Sequence, residues 1–185
     1  TYQATAHDTW NLACPGNPNC PEKVGPDFDF GMAPILVKGV NGKKDRLVVG
    51  QKSSVVHALD PSTGKLLWQT RLGKGSALGG VHWGMATDGR YVYAANADNK
   101  YAMYPYENED TTLKANPGLF ALDLQNGKMI WKQSTPDCSH ISNCIAANSA
   151  APLALPGLVF AGALDGHMRA YDATNGKVLW DFDTL

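Results

Sequence analysis

The chain has 185 residues, the length of one ordinary domain. Sixteen Lys and Arg against 17 Asp and Glu leave a net charge of −1, which argues against nucleic acid or an anionic membrane as a partner. No apolar run approaches the roughly 18 residues of a membrane-spanning helix.

Taken in chain order, Thr1-Tyr2-Gln3-Ala4 reads as the tail of a strand. Residues 5–33 read as a loop carrying Pro15, Pro18, Pro21 and Pro26. Strands are predicted over 34–37 and 46–50, divided by the turn Val40-Asn41-Gly42-Lys43, and over 54–60 and 66–72. A glycine-rich link, 73–80, leads to predicted strands over 81–86, 91–95, 118–123 and 129–133. The middle pair is separated by a polar insertion, 98–116, acidic at Glu107-Asn108-Glu109-Asp110. Strands over 150–155, 158–161, 167–172 and 178–182 follow. Helical periodicity is nearly absent.

One motif organises these elements. Ala58-Leu59-Asp60-Pro61-Ser62-Thr63-Gly64-Lys65-Leu66-Leu67-Trp68 returns without a gap as residues 121–131 and again as 170–180. All three copies read Ala-[Leu/Tyr]-Asp-x-x-[Thr/Asn]-Gly-Lys-x-x-Trp, and a triplicate match of this length is a repeat architecture. The Asp carboxylate starts a turn by accepting backbone N–H groups, and Gly supplies the positive φ of a tight hairpin loop. Alternation then places Leu66, Trp68 and Thr70 on one face of the outgoing strand. A Trp fixed at that point suits a filler between neighbouring sheets, with one N–H for the next sheet's backbone.

Four strands per repeat of about 45 residues predict an all-β chain built as a β-propeller of four-stranded antiparallel blades. Three blades are expected, near 34–72, 81–133 and 150–185, with 1–33 the tail of a preceding blade plus a linking loop. The chain opens on Thr1 and closes at Leu185 at nearly the same phase of the repeat, which predicts an internal piece of a longer array. Closed propellers need four to eight blades, so further blades or other chains are expected to complete the ring and cover its raw edges.

Cys14 and Cys20, and Cys138 and Cys144, are each spaced Cys-x5-Cys in Pro/Asn/Ser-rich loops. They read as two local disulfides and hence an oxidising compartment, periplasmic or extracellular. The alternative is a metal site from Cys138, His140 and Cys144, which lacks Cys-x2-Cys spacing and a clear fourth ligand. There is no Cys-x-x-Cys-His, so no c-type haem is expected on this segment. His57 and His167, in the third strands of their blades, read as packing or rim residues.

The repeat resembles the tryptophan-docking motif of the quinoprotein alcohol dehydrogenases, eight-bladed propellers that bind pyrroloquinoline quinone (PQQ). The linking segments are similar too: Tyr2-Gln3-Ala4-Thr5-Ala6-His7-Asp8-Thr9-Trp10, Gly25-Pro26-Asp27-Phe28-Asp29-Phe30-Gly31 and Gly50-Gln51-Lys52-Ser53-Ser54. Within the family the likeness is to the polyvinyl-alcohol-dehydrogenase-like branch. The resemblance implies PQQ on the propeller axis beside Ca²⁺, and hydride transfer from a small-molecule or polymeric alcohol to the quinone. It also implies a cytochrome as electron acceptor. It puts the catalytic Asp and the calcium ligands on blades before Thr1, so no catalytic or metal residue is assigned on this chain.

The resemblance places Lys52 where the family has a Lys or Arg on the quinone oxygens; the plainer reading is a solvated rim Lys. His82-Trp83 falls where a family segment, usually Asn-Trp, reaches the cofactor edge, and core packing of Trp83 is the plainer reading. Asp27 and Asp29 alternate with Phe28 and Phe30, which suits a substrate pocket, a cation site or buttressing of the loop. A family Trp-Gly pair is replaced here by Ala147-Asn148-Ser149-Ala150, and the adjacent-cysteine ring of some members is absent. Two functions follow: part of a PQQ-dependent alcohol dehydrogenase, or a non-catalytic propeller of the same ancestry that serves as a protein-binding scaffold.

Overall fold

A computed structural model describes residues 1–11, 14, 16–39, 44–98 and 112–185. The predicted turn at 40–43 and residues 99–111 of the insertion, its acidic run included, lie outside the described residues. Twelve strands are described: β1 (Ile35–Val37), β2 (Arg46–Gln51), β3 (Val55–Leu59), β4 (Leu66–Arg71), β5 (Met85–Thr87), β6 (Tyr91–Asn96), β7 (Gly118–Asp123), β8 (Met129–Gln133), β9 (Leu153–Leu155), β10 (Leu158–Gly162), β11 (His167–Asp172) and β12 (Val178–Asp183). They form three antiparallel four-stranded sheets, each in sequential order. No described helix is long and apolar enough to cross a membrane.

The repeat motif builds the same hairpin three times. In each copy the ladder shifts register just before the turn, at Ala58/Leu59, Ala121/Leu122 and Ala170/Tyr171. The Asp60 carboxylate accepts from the N–H groups of Ser62 (2.9 Å) and Thr63 (3.2 Å), and Asp123 accepts from Gln125 (2.8 Å) and Asn126 (3.1 Å). Gly64, Gly127 and Gly176 take φ of 70°, 72° and 74°.

The indoles join one sheet to the next. Trp68 donates its Nε1–H to the Leu124 carbonyl at 3.1 Å, and Trp131 donates to Ala173 at 3.0 Å. A Cβ at Gly127 would lie 2.5 Å from the Trp68 ring, and one at Gly176 would lie 2.6 Å from the Trp131 ring. The motif glycine is thus needed twice, for its φ and to let an indole lie flat on the backbone. Two apolar cores result. One holds Val48, Val56 and Trp68 against Val92, Ala94, Phe120 and Leu122; the other holds Tyr93, Leu119 and Trp131 against Val159 and Tyr171.

The same contacts are open on the two outer faces. Trp180 is 46 % exposed and, among the described residues, stacks on its own strand's Phe182 and meets Phe160 edge-on. At the other face the space over Gly64 is empty. An apolar recess of about 310 Å³ there is lined by Leu47, Val49 and Leu59, together with Tyr2, Phe30, Met32 and Pro34. By register, Leu47 and Leu59 occupy the positions of Val92 and Leu122, which receive Trp68 one sheet further on. These three sheets are blades of a β-propeller, with the docking surfaces for neighbouring blades uncovered.

The predicted strand over 81–86 begins later, at Met85, and that over 150–155 begins at Leu153. Val81 is fully buried and donates its N–H to the Gln51 carbonyl at 3.2 Å. A Cβ at Gly50 would meet its side chain at 2.3 Å. The entry to the second blade is therefore stitched to the first blade at Val81, while the Gly80 carbonyl accepts the N–H of Ala97, just past β6, at 3.0 Å. Chain direction then sorts the loops. The β2–β3, β6–β7 and β10–β11 loops and the links between blades all lie at one end of the strands, and the motif turns lie at the other.

Candidate cofactor-end site

At the linking-loop end, the segment over residues 25–31 is fixed from both sides. The Asp8 carboxylate accepts the N–H groups of Asp27 (2.8 Å) and Phe28 (2.6 Å), which holds Asp27 at a φ of 60°. Gly25 packs so closely on Asp8 that a Cβ would sit 2.4 Å from its Cα. From the first blade, Gln51 donates its Nε2–H to the Phe28 carbonyl at 2.7 Å, and the Lys52 N–H meets the Asp29 carbonyl at 3.1 Å.

Lys52 sits in the tight β2–β3 loop, where Ser54 has a φ of 61°. It is 7 % exposed. Its Nζ donates to Asp29 at 2.8 Å and to Asp27 at 3.0 Å. The cation between the two carboxylates is therefore the Lys52 ammonium. The carboxylates differ: the Asp27 side chain is 11 % exposed and the Asp29 side chain 62 %. Burial pushes the Asp27 carboxyl up, against the pull of Lys52. Its hydrogen bond to Lys52 holds Asp29 below the usual carboxylate range. Burial lowers the Lys52 ammonium, but the two carboxylates outweigh it and the net shift is upward.

His82 lies beside this pair. A Cβ at Gly31 would meet its ring at 2.2 Å, so glycine makes room for it. Burial first, then Lys52, lowers the His82 pKa, with Asp29 opposing. Its Nδ1 is buried without a partner. Trp83 stacks on the imidazole at 4.4 Å between centroids and is 62 % exposed. The structure thus brings Lys52, Asp27, Asp29, His82 and Trp83 to one end of the blades.

Of the groups a planar anionic quinone would use, the site offers the open face of the Trp83 indole and the Lys52 ammonium, the latter already paired with two carboxylates. Among the described residues no group of three or more His, Cys, Asp and Glu side chains is placed to hold a metal ion. Cys14 is joined to Cys20 and Cys138 to Cys144. The second bond takes both thiols from the alternative metal site with His140, which has no support.

Two networks escaped the sequence reading. Asp8 had no assigned role, although it fixes the loop that carries Asp27. Arg169, 4 % exposed, donates to Asp165 at 2.7 Å and to Asp181 at 2.9 Å, and Asp181 also meets His167 at 2.6 Å. An Arg directly before an Asp-turn motif carries no local signal that its partners lie in a loop and on the neighbouring strand.

His57 is a packing residue. It is 3 % exposed, bonded through Nδ1 to the Tyr2 hydroxyl at 2.9 Å and met edge-on by Phe30. Burial, helped by Arg71, pushes its pKa down to about 4. The unfolded chain binds a proton at His57 near pH 6.5 and the folded chain does not, so stability falls as pH drops through this window. By pH 4 the loss from this group is about 3 kcal/mol. Urea titrations of wild type and His57→Phe between pH 7 and 4 are expected to show a flatter acid limb for the variant.

The model of a family labelled PQQ_2, described as outer membrane protein assembly factor BamB, matches residues 10–114 and 102–185. The chain belongs to this family of repeat propellers. It is 42 % identical over 186 residues to a polyvinylalcohol dehydrogenase of Pseudomonas sp, covering 98 % of this chain and 27 % of that protein. It is 40 % identical over 193 residues to the polyvinylalcohol dehydrogenase of Sphingopyxis sp. (strain 113P3), covering 100 % and 28 %. Its likeness is thus to polyvinylalcohol dehydrogenases, and it spans about a quarter of the length of these relatives. Among solved structures, the quinohemoprotein alcohol dehydrogenase from Comamonas testosteroni superposes with a TM-score of 0.53 at 22 % identity. That match covers 83 % of this chain and 21 % of the other, and it speaks for the fold alone.

Proposed function

We propose that these residues form three consecutive blades of an eight-bladed, PQQ-dependent alcohol dehydrogenase working in the periplasm or outside the cell. The observation that carries this reading is the Lys52 ammonium, held between two carboxylates beside His82 and Trp83 where the linking loops gather. The 42 % identity to a polyvinylalcohol dehydrogenase points the same way, toward a secondary or polymeric alcohol as substrate. The two disulfides suit an oxidising compartment.

In this reading PQQ, when bound, supplies the two-electron acceptor for the alcohol's hydride. Lys52 stabilises the negative charge that gathers on the acceptor's oxygen, a preorganised cation where charge develops. Asp27 holds that ammonium, and Asp8 and Gln51 hold the loop that carries Asp27. His82 lies stacked against Trp83 and positions that indole, whose other face is open for stacking and for excluding water. The catalytic Asp and the calcium ligands belong to blades preceding residue 1. Electrons leave to a cytochrome. The recess at Leu47, Val49 and Leu59 takes an indole from a preceding blade, and Trp180 docks on the next.

The test is reconstitution of the complete polypeptide with PQQ and Ca²⁺, followed by dye reduction with secondary alcohols and polyvinyl alcohol. Alcohol-dependent reduction that needs both additions is expected. Quinone-free protein with no turnover would instead favour a non-catalytic scaffold, the reading to which the BamB description of the family lends itself.

A further inference from the structure

The two carboxylates on Lys52 are unequal, and the proposed function leaves that inequality unused. Asp27 is buried, fixed at a left-handed φ by Asp8, and enclosed with the ammonium. Asp29 makes the shorter contact to Lys52, 2.8 Å, yet most of its side chain faces solvent. Its backbone is tied to Lys52 through its carbonyl, so the side chain can turn away without moving the loop. The three groups together carry a charge of −1, an unfavourable place for an anion while both carboxylates stay paired. Of the two pairs, the one whose carboxylate faces solvent has water to replace its partner, and it is the one that yields first.

We infer that Asp29 is an exchangeable counter-ion: an anionic ligand oxygen takes its place on Lys52, while Asp27 stays bound as the fixed partner. Before the exchange Asp29 keeps the buried ammonium satisfied. It also sets a threshold that weak anions such as chloride do not cross and that a ligand with several carboxylates does. Asp29 is thus a positioning and selectivity residue toward the cofactor, not a catalytic one. The inference rests on the proposed PQQ site.

The experiment is equilibrium dialysis of PQQ against the complete polypeptide, as wild type, Asp29→Asn, Lys52→Gln and the double variant. Asp29→Asn is expected to bind PQQ about three- to tenfold more tightly than wild type, and the gain is expected to vanish when Lys52→Gln is added. It is also expected to bind at chloride concentrations that leave wild type unaffected less selectively, with a larger loss of PQQ affinity as chloride rises. Equal or weaker binding by Asp29→Asn beside a wild type that binds PQQ would overturn the exchange and leave the proposed function standing. Binding by neither protein would end both. A thermal melt of each variant shows that weakened binding is not unfolding.

Discussion

Trp131→Ala is expected to lower the stability of the 185-residue chain by about 3–5 kcal/mol in urea unfolding, while Trp180→Ala costs less than about 1 kcal/mol. The two residues occupy the same place in the repeat. Trp131 is 8 % exposed, packs on Gly176 and gives its N–H to Ala173, whereas Trp180 is 46 % exposed. Truncating the first removes a large buried ring, leaves a cavity between blades and leaves the Ala173 carbonyl with the Tyr93 hydroxyl, at 3.3 Å, as its donor. Truncating the second removes surface that is already wet. Gly176→Ala should reproduce much of the Trp131 loss from the opposite side, because its Cβ would lie 2.6 Å from the indole at a φ of 74°. Equal costs for the two Trp variants would mean that the indoles do not hold the blades together.

Lys52→Gln is expected to cost about 3 kcal/mol at neutral pH, the scale for removing one partner from a buried ion pair. Asp27 is left enclosed without its cation, beside Asp29. The expected pH dependence has a definite sign. Burial already raises the Asp27 carboxyl, and loss of Lys52 raises it further. Protonating Asp27 at acid pH relieves the unpaired charge, so the difference between variant and wild type should shrink as pH falls. Urea midpoints of both proteins between pH 7 and 4 measure this. A difference that grows toward acid would place the cost elsewhere than at Asp27.

The legible parts of the sequence were those where one local pattern has one local consequence. The Asp-x-x-x-Gly-Lys turns, the Trp contacts and the cysteine pairing each depend on residues a few positions apart or on a threefold repetition. Lys52 and His82-Trp83 were singled out by the family resemblance, and Asp27 and Asp29 by their alternation with Phe28 and Phe30. What could not be read was any contact set by tertiary approach. Asp8 reaches Asp27 across 19 residues of disulfide-bearing loop. Lys52 reaches both carboxylates across more than 20, so the pattern Asp-Phe-Asp read as a substrate pocket, a cation site or a buttress of its loop, with no sign of its partner. The early strand at 81–86 was misplaced for the same reason. Val81 is apolar and buried like a strand residue, but its backbone partner is Gln51 of the neighbouring blade.

The most direct measurement is the quinone content of the reconstituted complete polypeptide, read from its absorbance as moles of PQQ per mole of protein. A stoichiometric complex with PQQ that is lost in the Lys52→Gln variant is the predicted result. A fully folded polypeptide that takes up no PQQ, or takes it up equally well without Lys52, would contradict the account.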